Sequence, residues 1–156
     1  IAKNVEKKLF QKNINVFTLD GDNLRTGLNK NLDFSPEDRT ENIRRTAEVA
    51  NLFTKAGFIV LVSLISPYRS ERKKARDIRP EIFREIYIEA SLEVCSKRDV
   101  KGLYAKAMKG EIKNFTGVSS PYEPPEMPNL VINTSKYSIE ESVKKLEKFI
   151  LNEFSF

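Results

Sequence analysis

The sequence predicts an α/β domain in which a parallel sheet is flanked by helices on both faces, a three-layer α/β/α arrangement. Segments with apolar residues at helical spacing alternate along the chain with short apolar segments typical of strands. The segment 58–65 is almost continuously apolar and rich in β-branched residues, as expected of a strand buried on both faces of a parallel sheet. The length of 156 residues fits one domain, 1–156, without repeat or linker.

Local signals place the elements in order. Ser35 is a suitable N-cap for a long helix with Pro36 at its first position, and Gly57 marks its end. Ser138 and Glu141 form a capping box for the last helix. We expect helices over 2–12, 36–56, 70–78, 92–98 and from 139 onward, and strands over 14–19, 58–65, 85–88 and 130–133.

Composition excludes several kinds of site. The chain has no His, so it cannot form a Ser-His-Asp or Cys-His nucleophile. The single cysteine, Cys95, excludes an internal disulfide, fits a reducing compartment and is expected to be a core thiol. No apolar stretch approaches the ~18 residues of a membrane-spanning helix. We therefore expect a cytoplasmic protein with no membrane partner.

The positive charge does not by itself indicate a nucleic-acid partner. Lys and Arg exceed Asp and Glu by 27 to 22, and the sequence pI is about 9.3. Nucleic-acid-binding proteins usually cluster their basic residues on one face, whereas residues 37–48 mix both signs. Small anions such as nucleotides fit this charge as well, and we expect no nucleic acid as partner.

The residues directly after two of the predicted strands suit phosphoryl transfer. Ligands of open parallel sheets bind beyond the carboxyl ends of the strands. There the chain carries Asp20, Asp22 and Arg25, and later Ser66. One carboxylate at a strand end could hold Mg²⁺, and a second could orient an attacking hydroxyl. The alternative is that residues 20–23 are only a turn, because Asp, Gly and Asn favour turns for conformational reasons.

Three further features are open to two interpretations each. Arg39, Asn42 and Arg45 share one helix face, which could bind an anion or simply be solvated. Phe34 precedes the N-cap and could be a hydrophobic staple, whereas Phe115 lies in a polar, glycine-bounded context. The basic segment from 98 to about 120 has the glycines of a mobile lid, although an ordinary surface loop has the same composition.

Seven motifs in order resemble adenylylsulfate kinase (APS kinase). They are LDGDNLR at 19–25, GLNKNL at 27–32, FSPEDR at 34–39, NIRR at 42–45, ISPY at 65–68, RDVKGLY at 98–104 and GEIKNFTG at 110–117. The likeness covers about residues 1–150. It is strongest to the eukaryotic type, including the kinase domain of bifunctional PAPS synthetases.

The resemblance implies a P-loop NTPase-like kinase of sulfate assimilation. Such an enzyme transfers the γ-phosphoryl group of MgATP to the ribose 3′-hydroxyl of adenosine 5′-phosphosulfate (APS), giving PAPS and ADP. Its cofactors would be ATP and Mg²⁺. A homodimer is implied, and fusion to an ATP sulfurylase domain occurs among relatives. The alternative is an inactive, nucleotide-binding kinase-like domain.

The resemblance also assigns site residues. Asp22 would orient or deprotonate the 3′-hydroxyl, and Phe34 with Phe115 would sandwich the adenine. Ser66 could transiently accept the phosphoryl group, although no adjacent base is evident and direct in-line transfer needs no intermediate. The implied substrate-binding residues are Asp22, Asn23, Arg25, Phe34, Arg39, Asn42, Ile65, Ser66, Lys101, Asn114 and Phe115. The implied catalytic residues are Asp22, Lys101 and Ser66, with Arg98 toward ATP and Asp20 toward the metal.

One family motif is missing. The P-loop pattern Gly-x-x-x-x-Gly-Lys-[Ser/Thr] holds the phosphates of ATP, and it occurs nowhere in this sequence, whose first glycine is Gly21. Residues 1–12 resemble the helix that follows the P-loop in the family. We therefore expect the first strand and the P-loop to precede Ile1, and this chain by itself to be inactive.

Overall fold

The computed structural model describes residues 1–154. None of the helices in this range is both long and apolar enough to cross a bilayer. The elements in chain order are α1 (Ala2–Phe10), β1 (Val16–Asp20), α2 (Gly21–Thr26), α3 (Pro36–Lys55), β2 (Ile59–Ser63), α4 (Arg69–Ile78), β3 (Ile86–Glu89), α5 (Leu92–Arg98), α6 (Leu103–Met108), β4 (Leu130–Asn133) and α7 (Ile139–Glu153).

The strands are parallel, as predicted, and over residues 1–154 they form two sheets of two strands each. In one sheet β1 pairs with β2, with Asp20 opposite Ser63. In the other, β3 pairs with β4, with Glu89 opposite Asn133. Each parallel register brings the carboxyl ends of two strands side by side, where α/β folds bind ligands.

Helices cover both faces of the first sheet. Val16 of β1 faces α1 and α7 in the main core, whereas its neighbour Phe17 stacks on Phe53 of α3 with ring centroids 4.8 Å apart. Successive strand residues point to opposite faces, so α3 lies across the sheet from α1 and α7. The core joins both sheets through Val5, Leu9, Val16, Ile132, Val143, Leu146 and Ile150.

Element ends follow the sequence signals closely where a cap is present. The Ser35 hydroxyl accepts a hydrogen bond from the Asp38 amide at 3.1 Å, and α3 begins at Pro36. The capping box of Ser138 and Glu141 is formed at the start of α7. β4 occupies 130–133 as predicted.

Two short helices were not predicted. α2 begins at Gly21 directly after β1, in a segment of turn-forming residues. α6 follows Gly102, whose backbone is left-handed with φ of 66°. Both are six residues long, too short for apolar periodicity to indicate a helix.

Candidate functional site

Asp20 begins the site at the junction of β1 and α2. Its Oδ1 accepts hydrogen bonds from the amides of Asp22 at 3.1 Å and Asn23 at 3.4 Å, so it caps α2. The interpretation of this segment as a simple turn is therefore wrong. A Cβ at Gly21 would lie 2.8 Å from Cδ2 of Leu64, so a larger residue here would require the Leu64 side chain to move.

Asp22 meets the lid segment, which we define as residues 98–120. Its carboxylate, in the first turn of α2, is exposed and forms an ion pair with Lys101, 79 residues further along the chain. The hydrogen bond from Lys101 to Asp22 raises the pKa of the lysine above its usual value. The structure thus places an accessible carboxylate next to a permanent cation.

Two guanidinium groups lie close to the Phe34 ring. The Cζ atom of Arg25 lies 4.4 Å from the ring centroid of Phe34 and that of Arg39 lies 5.5 Å from it. Arg25 is itself fixed through Nη1, which donates to the carbonyls of Leu32 at 2.8 Å and Asp33 at 3.0 Å. Because 52% of Phe34 stays exposed beside these cations, the ring is not an apolar staple.

Arg39 connects the segments that carry Phe34 and Phe115, the two rings expected to sandwich the adenine. Its Nε donates to the carbonyl of Phe34 at 3.0 Å and its Nη2 to the carbonyl of Asn114 at 2.8 Å, next to Phe115. Only 7% of Arg39 is exposed, and this burial lowers the pKa of its guanidinium. The solvated-face interpretation is therefore wrong for this residue.

Asn42 is buried on the same helix face and is oriented by a residue that the sequence did not single out. Asn29, fully buried in the loop before α3, donates from Nδ2 to Oδ1 of Asn42 at 2.8 Å. Thr46 in turn donates to the Asn42 carbonyl at 2.7 Å. Asn29 lies in the GLNKNL motif at 27–32, but its residue type does not predict burial, because asparagine is common in exposed loops as well.

Phe115 packs inside the lid segment. Its ring meets Tyr104 edge-on, with centroids 4.9 Å apart, and its amide donates to the Ser119 hydroxyl at 2.9 Å. Burial foremost, helped by the neighbouring Cys95, raises the pKa of Tyr104 to about 12. Cys95 is a free, half-buried thiol. The lid segment therefore has its own small cluster of packed side chains.

Ile65 and Ser66 follow β2, and Arg98 lies at the other sheet. Ile65 is 60% exposed, and Ser66 has a left-handed backbone with φ of 44°. Arg98 donates from Nη1 and Nη2 to the hydroxyl and carbonyl of Thr134 at 3.0 and 2.6 Å, just beyond β4. Arg98 thus belongs to the strand-end edge of β4.

The carboxylates near the end of β1 could supply only some of the ligands of a Mg²⁺ ion. Within residues 1–154 no group of three or more His, Cys, Asp or Glu side chains is arranged to hold a metal. Mg²⁺ at phosphoryl-transfer sites commonly takes one or two carboxylates, with phosphate oxygens and water completing its shell. Asp20, whose Oδ1 caps α2, fits as one such ligand through its other oxygen.

Known proteins that resemble this chain belong to one family. Residues 1–133 match the family model described as adenylylsulphate kinase. The chain is 54% identical over 151 residues to the adenylyl-sulfate kinase of Acaryochloris marina, covering 96% of this chain and 74% of the relative. It is 51% identical over 153 residues to that of Staphylococcus haemolyticus, covering 97% and 77%. These relatives are bacterial, so they do not support the expected closeness to the eukaryotic type.

A solved structure also matches. The Mycobacterium tuberculosis APS kinase CysC, in complex with AMPPNP and APS, superposes with a TM-score of 0.90 at 44% identity, covering 96% of this chain and 87% of the other. The chain thus spans roughly three quarters of the two relatives and most of the solved kinase chain.

Proposed function

The chain belongs to the adenylylsulfate kinase family, and we infer from this membership that it acts in ATP-dependent phosphorylation of APS at the ribose 3′-hydroxyl. The products are PAPS and ADP, and the enzyme class is a phosphotransferase with an alcohol acceptor. The observation that carries this function is the match to a kinase structure with AMPPNP and APS bound. It favours the kinase over an inactive nucleotide-binding domain.

The adenine of APS would lie between Phe34 and Phe115. Two features support this placement: the half-exposed ring of Phe34 and the Arg39 side chain that joins the backbones beside both rings. Stacking of a base on an aromatic side chain contributes about 1–3 kcal/mol. Asn23, Arg25, Asn42, Ile65 and Asn114 would surround the ribose and phosphosulfate, and Arg25 and Arg39 supply positive charge beside Phe34.

Asp22 would accept the proton of the ribose 3′-hydroxyl while the hydroxyl oxygen attacks the γ-phosphorus of ATP and ADP leaves. Support comes from its exposed carboxylate at the strand-end edge and from Lys101 beside it. The hydroxyl replaces part of the Lys101 contact, and the lysine is then free to neutralise charge on the transferring phosphoryl group. We propose direct in-line transfer, because Ser66 has no neighbouring base in the hydrogen bonds that the structure describes.

The ATP side would include Arg98 at the end of β4 and a Mg²⁺ ion near Asp20. When bound, Mg²⁺ would neutralise negative charge on the phosphate groups of ATP. Asp20 would supply one carboxylate oxygen, and Arg98 a guanidinium already fixed by Thr134. The P-loop pattern, which binds the ATP phosphates in this family, does not occur in this sequence. We therefore name no residue of this chain as the main phosphate-binding group.

A comparison of acceptors tests the proposed function. The gene-encoded protein that contains this chain is incubated with MgATP and either APS or AMP, and the 3′-phosphorylated products are separated. We expect PAPS from APS and far slower phosphorylation of AMP, which lacks the sulfate. APS binding without PAPS formation would instead support the inactive nucleotide-binding alternative.

The homodimer and the sulfurylase fusion implied by the resemblance remain predictions. Sedimentation velocity of the purified protein tests the dimer, and the gene sequence on either side of this chain tests the fusion. A monomer at micromolar concentration would contradict the first.

A further inference from the structure

Ser66 has an unusual backbone for a residue with a side chain. Its φ of 44° lies in the left-handed region, which residues other than glycine, asparagine and aspartate rarely adopt. It stands at the strand-end edge, three residues beyond the end of β2. Surrounding contacts must therefore hold this backbone in place.

Arg72 of α4 provides such a contact. Its Nη1 donates to the carbonyl of Ser66 at 2.6 Å, and the side chain is only 11% exposed. The other donors are also used: Nη2 donates to the carbonyl of Glu123 at 2.7 Å and Nε to the carboxylate of Glu85 at 2.5 Å. One buried guanidinium therefore joins three separate parts of the chain.

The other two partners are themselves fixed. Glu85, directly before β3, also accepts from Nη2 of Arg76 at 2.9 Å. The Glu123 amide donates to the carbonyl of Pro67 at 2.9 Å, so the chain beyond the lid segment is attached to the residue after Ser66. Arg72 thus links the Ser66 loop to the start of β3 and to the chain just beyond the lid segment.

We propose that Arg72 is a positioning residue for the APS site. It holds the left-handed Ser66 and, through Glu123, the position at which the chain leaves the lid segment. It acts through Ser66 and Ile65 and contacts no substrate itself. The proposal rests on the APS-binding role proposed for these two residues.

The geometry requires arginine. A planar guanidinium has five N–H donors in a fixed fork and can bind a carboxylate and two carbonyls that lie in different directions. A lysine ammonium keeps the positive charge beside Glu85, but its N–H donors are all on one nitrogen atom and cannot reach three separated acceptors. Glutamine removes the charge and leaves at most one of the three contacts.

A double-mutant cycle tests the role in the gene-encoded enzyme. Arg72→Gln should raise KM for APS about tenfold, the change expected for one lost charged hydrogen bond, and change KM for ATP and kcat by less than about threefold. Arg72→Lys should have a smaller effect in the same direction. Thermal unfolding of each variant is measured in parallel.

The decisive comparison is between two backgrounds. Ser66→Gly and Ser66→Ala both remove the hydroxyl, but only glycine adopts the left-handed backbone without strain. Arg72→Gln should therefore raise KM for APS clearly less in the Ser66→Gly background than in the Ser66→Ala background. Arg76→Gln is the matched control, because Arg76 shares Glu85 but has no contact with Ser66. Its KM for APS should stay within about twofold of the parent, as for most surface changes.

The outcomes separate the proposals. Equal effects of Arg72→Gln in the two backgrounds, or an unchanged KM for APS, would overturn the positioning role. A parent enzyme that makes no PAPS would instead contradict the proposed function. If Arg72→Gln does not fold, Arg72→Lys is compared in both backgrounds with the same two expectations.

Discussion

The two halves of the candidate site differ in how they are held. The first, which we call the fixed half, comprises residues 20–46 with α2, its loop and the start of α3. Its side chains bind one another: Asn29 donates to Asn42, and Arg39 to the Phe34 carbonyl. The second half is the lid segment, where Val100 is 95% exposed and the Lys101 side chain 61% exposed.

Only two contacts described above join the halves. One is the exposed ion pair of Lys101 with Asp22, and the other is the buried hydrogen bond from Arg39 to the Asn114 carbonyl. Ala107 is the one buried residue of the lid segment, and the glycines at 102, 110 and 117 have left-handed backbones. Segments with few buried contacts open at low free-energy cost. The fixed half is therefore held by contacts among its own residues. One exposed ion pair and one buried hydrogen bond join the lid segment to it, and we expect the lid segment to open more readily.

Asp22 of the fixed half should give the largest effect. Asp22→Asn removes the proposed base and should lower kcat for PAPS formation by about 10²–10⁴-fold, the usual contribution of general-base catalysis. APS affinity, measured by isothermal titration calorimetry, should change little. Asp33→Asn makes the same charge change nearby and should keep its activity, since Asp33 contacts Arg25 through its carbonyl. A near-normal kcat in Asp22→Asn would contradict the proposed role of Asp22 as the general base.

Breaking the buried link should come next. Arg39→Ala removes two hydrogen bonds from a charged donor, each worth about 1.5–3 kcal/mol, and APS affinity should fall by about 30-fold or more. Calorimetry measures the affinity, and limited proteolysis in the lid segment should accelerate. Arg44→Ala on the same helix is the control, because the side-chain hydrogen bonds that the structure describes for Arg44 go to Glu41, one turn away on α3. An equal loss of APS affinity in Arg39→Ala and Arg44→Ala would contradict a specific role of the Arg39 link in APS binding.

The aromatic wall in the lid segment should have a smaller effect. Phe115→Ala should weaken APS binding by about tenfold, within the range of about 1–3 kcal/mol for a stacked base, while Phe115→Tyr retains most of the affinity. Fluorescence competition with a labelled nucleotide measures both. Unchanged APS affinity in Phe115→Ala would place the adenine elsewhere.

The smallest effect should come from the start of α6. The Asp99 carboxylate accepts hydrogen bonds from the amides of Tyr104 and Ala105, and these bonds lower its pKa. The ionised Asp99 carboxylate therefore stabilises the start of α6 fully above the ordinary aspartate pKa of about 3.9. This stabilisation is lost as pH falls through the lowered pKa.

Amide exchange checks this pH dependence. Exchange at Tyr104 and Ala105, corrected for intrinsic rates, should be constant from neutral pH to about pH 5 and faster below about pH 4. Asp99→Asn should exchange faster at neutral pH as well. A faster exchange near neutral pH in the parent would contradict this assignment.

The same comparison explains what could be predicted from sequence. Ser35 and Ser138 are local caps, so the starts of α3 and α7 were predicted correctly. Asp20 and Ser66 were expected at one edge because parallel strands end together. In contrast, the link from Arg39 to Asn114 spans 75 residues, and no local signal specifies it. The three partners of Arg72 likewise come from separate segments that only the fold assembles.

The position of phosphoryl transfer tests the central claim most directly. The gene-encoded protein is incubated with APS and ATP carrying radioactive phosphorus at the γ-position, and the product is treated with a 3′-specific nucleotidase. We expect the label to enter APS and the nucleotidase to release all of it, and we expect Asp22→Asn to transfer little label. Label that resists the nucleotidase, or no transfer to APS by an enzyme that binds both substrates, would contradict it.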